Sequence, residues 1–271
     1  MSSITDRRRR FRALHEQGCF PIPNPWDTGS ARLLAQLGFQ AVATTSSGFA
    51  WSQGCADGAL SRERTLEHLR QMVAATPLPV NADFESGFGA DADAVAASVA
   101  MAVDTGVAGL SIEDASGDPE QPVRPLQQAV DRLRAARAAI DAAGGDTLLV
   151  ARAENFWLGR PDLEDTIRRL RAYAEAGADC LYAPGLKARE DIAAVVAAVA
   201  PRPVNLLIGA AGGLSLAEAA ALGVRRVSVG GALARCAWGA FMKAAQDVAL
   251  GRFDAFADAM PGAELNARLA S

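Results

Sequence analysis

Two histidines and four cysteines are all that this chain of 271 residues offers a borderline or soft metal ion. Cys19, Cys55, Cys180 and Cys236 are scattered without a C-x-x-C pair, and His15 and His68 lie far from any cysteine cluster. That spacing argues against a zinc site and against a disulfide framework, and it suits a reducing cytoplasm. No apolar run approaches the roughly 20 residues needed to span a bilayer, so no membrane segment is expected. Charge of one sign is also lacking. The formal net charge is −4 with acids and bases interspersed, which leaves no basic stripe for nucleic acid. The dense cationic run, Arg7 to Arg10 with Arg12, is not followed by the apolar stretch of a signal peptide; it is read as a solvated first helix or an oligomer contact.

What is present is periodicity. Half of the residues are hydrophobic, enough for a substantial core. Short apolar runs bounded by Gly, Pro or Asn alternate with longer Ala/Leu/Arg-rich stretches of helical period. Eight strands are predicted: 20–26, 41–46, 79–85, 109–114, 147–155, 180–184, 203–208 and 225–230. Between them lie helical stretches such as 91–105, 127–143 and 161–176, several ended by glycine. Strict alternation without a linker predicts one parallel sheet with helices outside, and eight units in this length predict a single-domain (β/α)8 TIM barrel over 1–271. A short N-terminal helix at about 4–18 and a C-terminal helical segment at about 232–271 flank it. An open doubly wound sheet is the runner-up, but "PNPWDTGS" after the first strand supplies no G-x-G-x-x-G turn.

Barrel chemistry sits at the carboxyl ends of strands. Those ends carry Thr44, Thr45, Ser46, Ser47 and Gly48 on strand two, Asn81, Asp83 and Glu85 on strand three, and Glu113 and Asp114 on strand four. Strand five ends in Arg152, Glu154 and Asn155, strand six in Tyr182, and strand seven carries Asn205. Asp83 and Glu85 share a face by strand period, and Glu113 from the next strand would approach them. Packed acids raise one another's pKa values unless a cation lies between them. Two readings stay open: an oxygen-ligated magnesium or manganese ion, or a salt-bridge cluster around Arg152. "TTSSGFA" is read either as an ordinary strand-to-loop turn or as hydroxyls and amides, freed by Gly48, that hold a carboxylate.

The segments "NPWDTGSARLLAQLGFQAVATTSSGFA", "VNADFESGFG", "GLSIEDASGD" and "ARAENF" resemble the isocitrate lyase and phosphoenolpyruvate mutase superfamily, in that family's order and over nearly the whole chain. The resemblance implies a homo-oligomer, tetramer or dimer, with the last helix exchanged between subunits. It also implies magnesium (Mn2+ as substitute), a small carboxylate substrate and an enolpyruvate-like intermediate. Ser47, Gly48 and Phe49 match the segment that holds the substrate's carboxylate and keto oxygens, and Asp57 matches an acid near the metal. Asp83 matches the principal metal ligand, Glu85 the second acid, Glu113 the holder of metal-bound water, and Arg152 the arginine that binds the leaving fragment.

The departures narrow the reaction. Lyases of isocitrate and methylisocitrate carry a K-R-C-G-H loop whose thiol moves a proton; here the stretch is "ASGDPEQPVRPLQQ", in which Arg124 is the one cation and Asp118 and Glu120 are acids. Arg124 is read either as closing over an anion or as a solvated loop arginine. Phe88 replaces the usual Tyr of G-Y-G, and "LLIGAAGG" after Asn205 has no Thr-Glu pair for further carboxylates, which points to a smaller substrate. Tyr182 stands where the mutases have a polar residue and is read as a hydrogen-bond donor or acid, or as rim packing. Cys55, close to Asp57, is read as packing. The expected activity is a magnesium-dependent lyase or hydrolase that cleaves a C–C bond in a small α-keto or 2-hydroxy acid. The alternatives are a P–C bond enzyme and a non-catalytic α-keto acid binder.

Overall fold

The computed structural model describes residues 2–270. Each of the eight predicted strands contains one: β1 Phe20–Ile22, β2 Val42–Ala43, β3 Val80–Asp83, β4 Gly109–Glu113, β5 Leu148–Arg152, β6 Cys180–Tyr182, β7 Val204–Leu207 and β8 Arg226–Ser228. They form one parallel sheet in the order β1-β8-β7-β6-β5-β4-β3-β2. The ring is completed just past the ends of β1 and β2, by a backbone bond from the Ala43 N–H to the Pro23 carbonyl and a side-chain bond from Asn24 Nδ2 to the Thr44 carbonyl. The fold is therefore a (β/α)8 barrel, as the alternation predicts.

The helices are α1 Ile4–Leu14, α2 Thr28–Gln36, α3 Ser46–Ser52, α4 Arg62–Ala75, α5 Ala92–Asp104, α6 Leu126–Ala142, α7 Leu163–Glu175, α8 Arg189–Val199, α9 Leu216–Ala221, α10 Ala232–Ala249 and α11 Gly262–Leu269, with a 3-10 turn at Asp254–Asp258. Their starts follow local chemistry: Asp27, Ser61, Asp91, Asp162 and Ser215 each accept the backbone N–H three residues on, satisfying a donor the helix itself cannot. After α7 the chain turns back to β6 through Gly177 at φ 100°, a conformation in which a side chain is strained.

The main core lies between sheet and helices and includes Leu69, Met72, Val95, Val99, Leu133, Ile140, Leu170 and Tyr173. Burying each such side chain contributes about 1.5–3 kcal/mol. A smaller cluster, Phe11, Phe20, Ile22, Ala41, Ala43, Ala108 and Leu148, packs α1 against the strand starts. So α1 closes the end of the barrel opposite the strand carboxyl ends, and it ends at Leu14 rather than near 18.

The arginine run on α1 is only in part the expected solvated helix: Arg9 and Arg10 are exposed, whereas Arg7, Arg8 and Arg12 turn toward the barrel. Arg7 donates to the Val73 and Thr76 carbonyls at the end of α4, Arg8 to those of Val103 and Val107 at the end of α5, and Arg12 pairs with Asp179. The partial negative charge gathered at the C-termini of α4 and α5 draws Arg7 and Arg8 inward. The four cysteines are unpaired, and among the described residues no helix is long and apolar enough to cross a membrane.

Candidate active site

At the carboxyl ends of the strands opens a cavity of about 470 Å³. Thr45, Ser46, Ser47, Asp57, Asp83, Arg152 and Tyr182 line it. Its wall also holds residues that the sequence did not single out, notably Asn24, Ser111, Trp157, Lys187, Arg226, Ser228 and Arg235.

Arg152 is the hub. It stands at the last position of β5, partly buried, with Nη1 2.8 Å from Asp83, Nη2 3.1 Å from Glu113 and Nε 2.8 Å from Glu154. Burial works against its charge, yet Glu154, Glu113 and Asp83 outweigh it and hold the guanidinium protonated. The second oxygen of Asp83 accepts from the Ser46 N–H and hydroxyl at 2.9 and 2.8 Å. Thus Asp83 ties β3 to β5 and to the start of α3.

The acids near Arg152 outnumber it. Burial raises the Glu113 carboxyl and Arg152 only partly offsets this; burial likewise raises Glu154. Glu85 is pushed up to about 7, by burial first and then by Asp83 and Asp57. Asp57 is also raised, by burial and by Asp83. Among the described residues Glu85 makes no ion pair, Arg152 acting on it only at a distance, and it sits at φ 47°, a strained backbone for a residue with a side chain.

That strain is held in place from α6. Arg132 donates to the carbonyls of Ser86, Gly89 and Ala90, and the Glu85 carbonyl accepts from the Glu113 N–H at 3.0 Å. A second buried support is Asp114, which accepts from the Glu154 N–H, Arg169 and the Tyr173 hydroxyl. Neither Arg132 nor the Asp114 network was visible in the sequence, because their partners are remote in the chain.

Among the described residues no three His, Cys, Asp or Glu side chains close on a common point, because Arg152 stands between Asp83 and Glu113. The donor set still fits a hard ion. It is all oxygen, it carries more negative charge than Arg152 balances, and magnesium is commonly held by only one or two carboxylates plus waters and substrate oxygens.

Other sequence candidates fall differently. "TTSSGFA" is neither a strand-to-loop turn nor a row of free amides: Thr45 caps α3, and the Gly48 and Phe49 amides are bonded to Thr45. Gly48 is required by packing, since a Cβ there would lie 2.7 Å from Thr45 Cγ2 and 3.0 Å from Trp26 Cβ. Phe49 turns away and stacks on His68 at 3.7 Å. What reaches the cavity is the hydroxyl pair of Thr45 and Ser47, 3.1 Å apart.

Glu113 meets Arg152 from behind a small crevice beside Asp114 and Arg132. Asn205 lies deeper in the barrel, where it bonds Arg226 and Ser228. Arg124 points its Nη2 at the Ser116 carbonyl and does not enter the site. Its loop is a hairpin closed by the Ser116–Pro122 and Arg124–Asp114 backbone bonds, with Asp118 bonded to the Glu120 N–H. Tyr182 lies under Arg152, whose Cζ is 5.2 Å from the ring centroid. Burial pushes its hydroxyl up to about 12, so it is a donor at neutral pH.

The phosphoenolpyruvate phosphomutase family model matches residues 11–249. A structure from Burkholderia cenocepacia J2315, described provisionally as a lyase/mutase, superposes with a TM-score of 0.96 at 49% identity, covering 99% of this chain and 98% of that one. An oxaloacetate decarboxylase of Bradyrhizobium diazoefficiens is 31% identical over 204 residues, 72% of this chain and 69% of its own. The 2-methylisocitrate lyase of Escherichia coli K12 is 32% identical over 190 residues, 66% of this chain and 62% of its own. With this barrel and that match across most of its length, the chain belongs to the phosphoenolpyruvate phosphomutase family, within the isocitrate lyase and phosphoenolpyruvate mutase superfamily of lyases and mutases.

Proposed function

We propose that the protein is a magnesium-dependent enzyme that cleaves a carbon–carbon bond in a small α-keto or 2-hydroxy acid, leaving an enolate of the pyruvate type. The observation that carries this reading is Arg152, a partly buried, permanently charged guanidinium at the cavity wall, fixed by three carboxylates beside the hydroxyls of Thr45 and Ser47. Its remaining N–H groups, one on each Nη, have no partner among the described residues and can bind a substrate carboxylate without reorganising, which is where enzymes gain most electrostatically. Thr45 and Ser47 donate to the neighbouring oxygens of the substrate. Tyr182, neutral and buried, holds or delivers a proton at the departing end.

Asp83 and Glu85, with Asp57 and Glu113 near, would hold the ion. When bound, magnesium supplies Lewis-acid stabilisation of the negative charge that develops as the bond breaks. The cavity of about 470 Å³ suits a small acid, and the 116–125 hairpin brings neither thiol nor cation to it. Oxaloacetate, on which one relative acts by name, is therefore the first substrate to try. The phosphomutase match favours a second reading, cleavage or migration of a P–C bond in phosphonopyruvate. We further propose that the active form is a homo-oligomer, built through the exposed C-terminal helices.

The test is pyruvate release from oxaloacetate, 2-alkylmalates and phosphonopyruvate with magnesium present. The expected result is pyruvate from oxaloacetate or an alkylmalate, abolished by EDTA, restored by Mg2+ or Mn2+, and absent from Arg152→Gln. Pyruvate from phosphonopyruvate alone would establish the second reading. None from any of them would overturn both.

A further inference from the structure

Below the acid cluster the cavity runs down into the barrel to a second arginine. Arg226 on β8 is only 2% exposed and forms part of the cavity wall. Strand register makes Arg152, Tyr182, Asn205 and Arg226 successive cross-strand neighbours. The two arginines differ in one respect: Arg152 meets three carboxylates, and Arg226 meets none among the described residues.

All protein partners of Arg226 are neutral. Its Nε donates to Asn205 Oδ1 at 2.8 Å, and its Nη1 reaches His15 Nε2 at 3.4 Å and Asn81 Oδ1 at 3.5 Å. His15 donates its Nδ1–H to the Phe11 carbonyl, which leaves the Nε2 lone pair facing Arg226; burial pushes its pKa down to about 3, so it adds no charge. The ionisable groups that act on Arg226 are Cys180 and Tyr182, and burial keeps both protonated. Its Nη2 has no protein hydrogen-bond partner among the described residues.

A guanidinium does not escape burial by losing its proton, and a buried cation without a counter-charge is strongly disfavoured. That donor is not sealed from solvent and belongs to a residue of the cavity wall. We propose that the cavity floor is a binding site for a small monovalent anion, held by Arg226 Nη2 and supplied from solution as chloride. The site is separate from the acid cluster around Arg152 and does not depend on which bond the enzyme breaks.

Chloride NMR linewidths titrated with the intact protein test it. The expected result is excess broadening that bromide displaces saturably, that weakens at least about tenfold in Arg226→Gln, and that persists in Arg152→Lys. Bromide-soaked crystals of the unmodified protein, which need no variant to fold, should show an anomalous peak in contact with Arg226 Nη2. Broadening that survives Arg226→Gln, broadening lost instead in Arg152→Lys, or no bromide at the floor would overturn the proposal.

Discussion

At the scale of single residues the site is governed by one cation among several acids. Arg152→Gln removes the charge that Asp83, Glu113 and Glu154 share. It should lower kcat/KM by roughly 10³ or more and, by leaving buried carboxylates unpaired, cost about 3 kcal/mol in urea denaturation. Arg152→Lys keeps the charge but not the planar fork, so it should retain most of the stability while remaining nearly inactive. Tyr182→Phe gives a finer result. The ring under Arg152 stays, only a hydroxyl is lost, and kcat should fall about tenfold or more with little change in KM if that hydroxyl moves a proton; an unchanged kcat would reduce Tyr182 to packing.

At the scale of elements the critical piece is the turn that follows β3, where Glu85 and Phe88 have φ of 47° and 50°. Glu85→Gly relieves about 1 kcal/mol of backbone strain and removes a buried like charge, so the variant should melt in more urea than the parent while losing activity. Arg132→Met should do the opposite to stability, because three carbonyls lose their donor; a loss of about 3 kcal/mol is expected. These two residues also show what could be read in advance. Strand positions were legible because alternation and glycine punctuation are local signals, and Asp83 and Arg152 stood out as charges at strand ends where packing needs none. Arg132 looked like any solvated helix arginine, since its partners lie 42 to 46 positions away in the chain. Arg226 was hidden inside a run read only as an apolar strand. The α3 helix was missed because Thr45 and the two serines suit a turn as well as an N-cap.

For the whole molecule, two properties extend beyond the site. Burial depresses His15 and His68 to about 3 and about 4, below the ordinary 6.5. The unfolded chain therefore binds their protons first, and the stability they contribute is full above pH 6.5 and is lost as pH falls towards the folded values. Each contributes a slope of about 1.4 kcal/mol per unit below 6.5, so the stability curve of His68→Gln between pH 7 and 5 should be flatter than that of the parent by that amount. The second property is the surface of the C-terminal helices. Of α10 only Ala234 is buried, while Phe241, Met242, Phe253 and Phe256 are each at least half exposed. Apolar groups gathered in this way on a folded chain mark an association surface. Light scattering behind a sizing column should give a multiple of 28.2 kDa. Phe241→Glu combined with Phe256→Glu should shift the mass to the monomer, and a wild-type monomer at every concentration would refute the proposed assembly. Because Arg235 on α10 lines the active-site cavity, an assembly that docks on the outer face of α10 would also steady Arg235, so the monomeric variant should lose kcat/KM by about tenfold or more, although both changed residues lie outside the site.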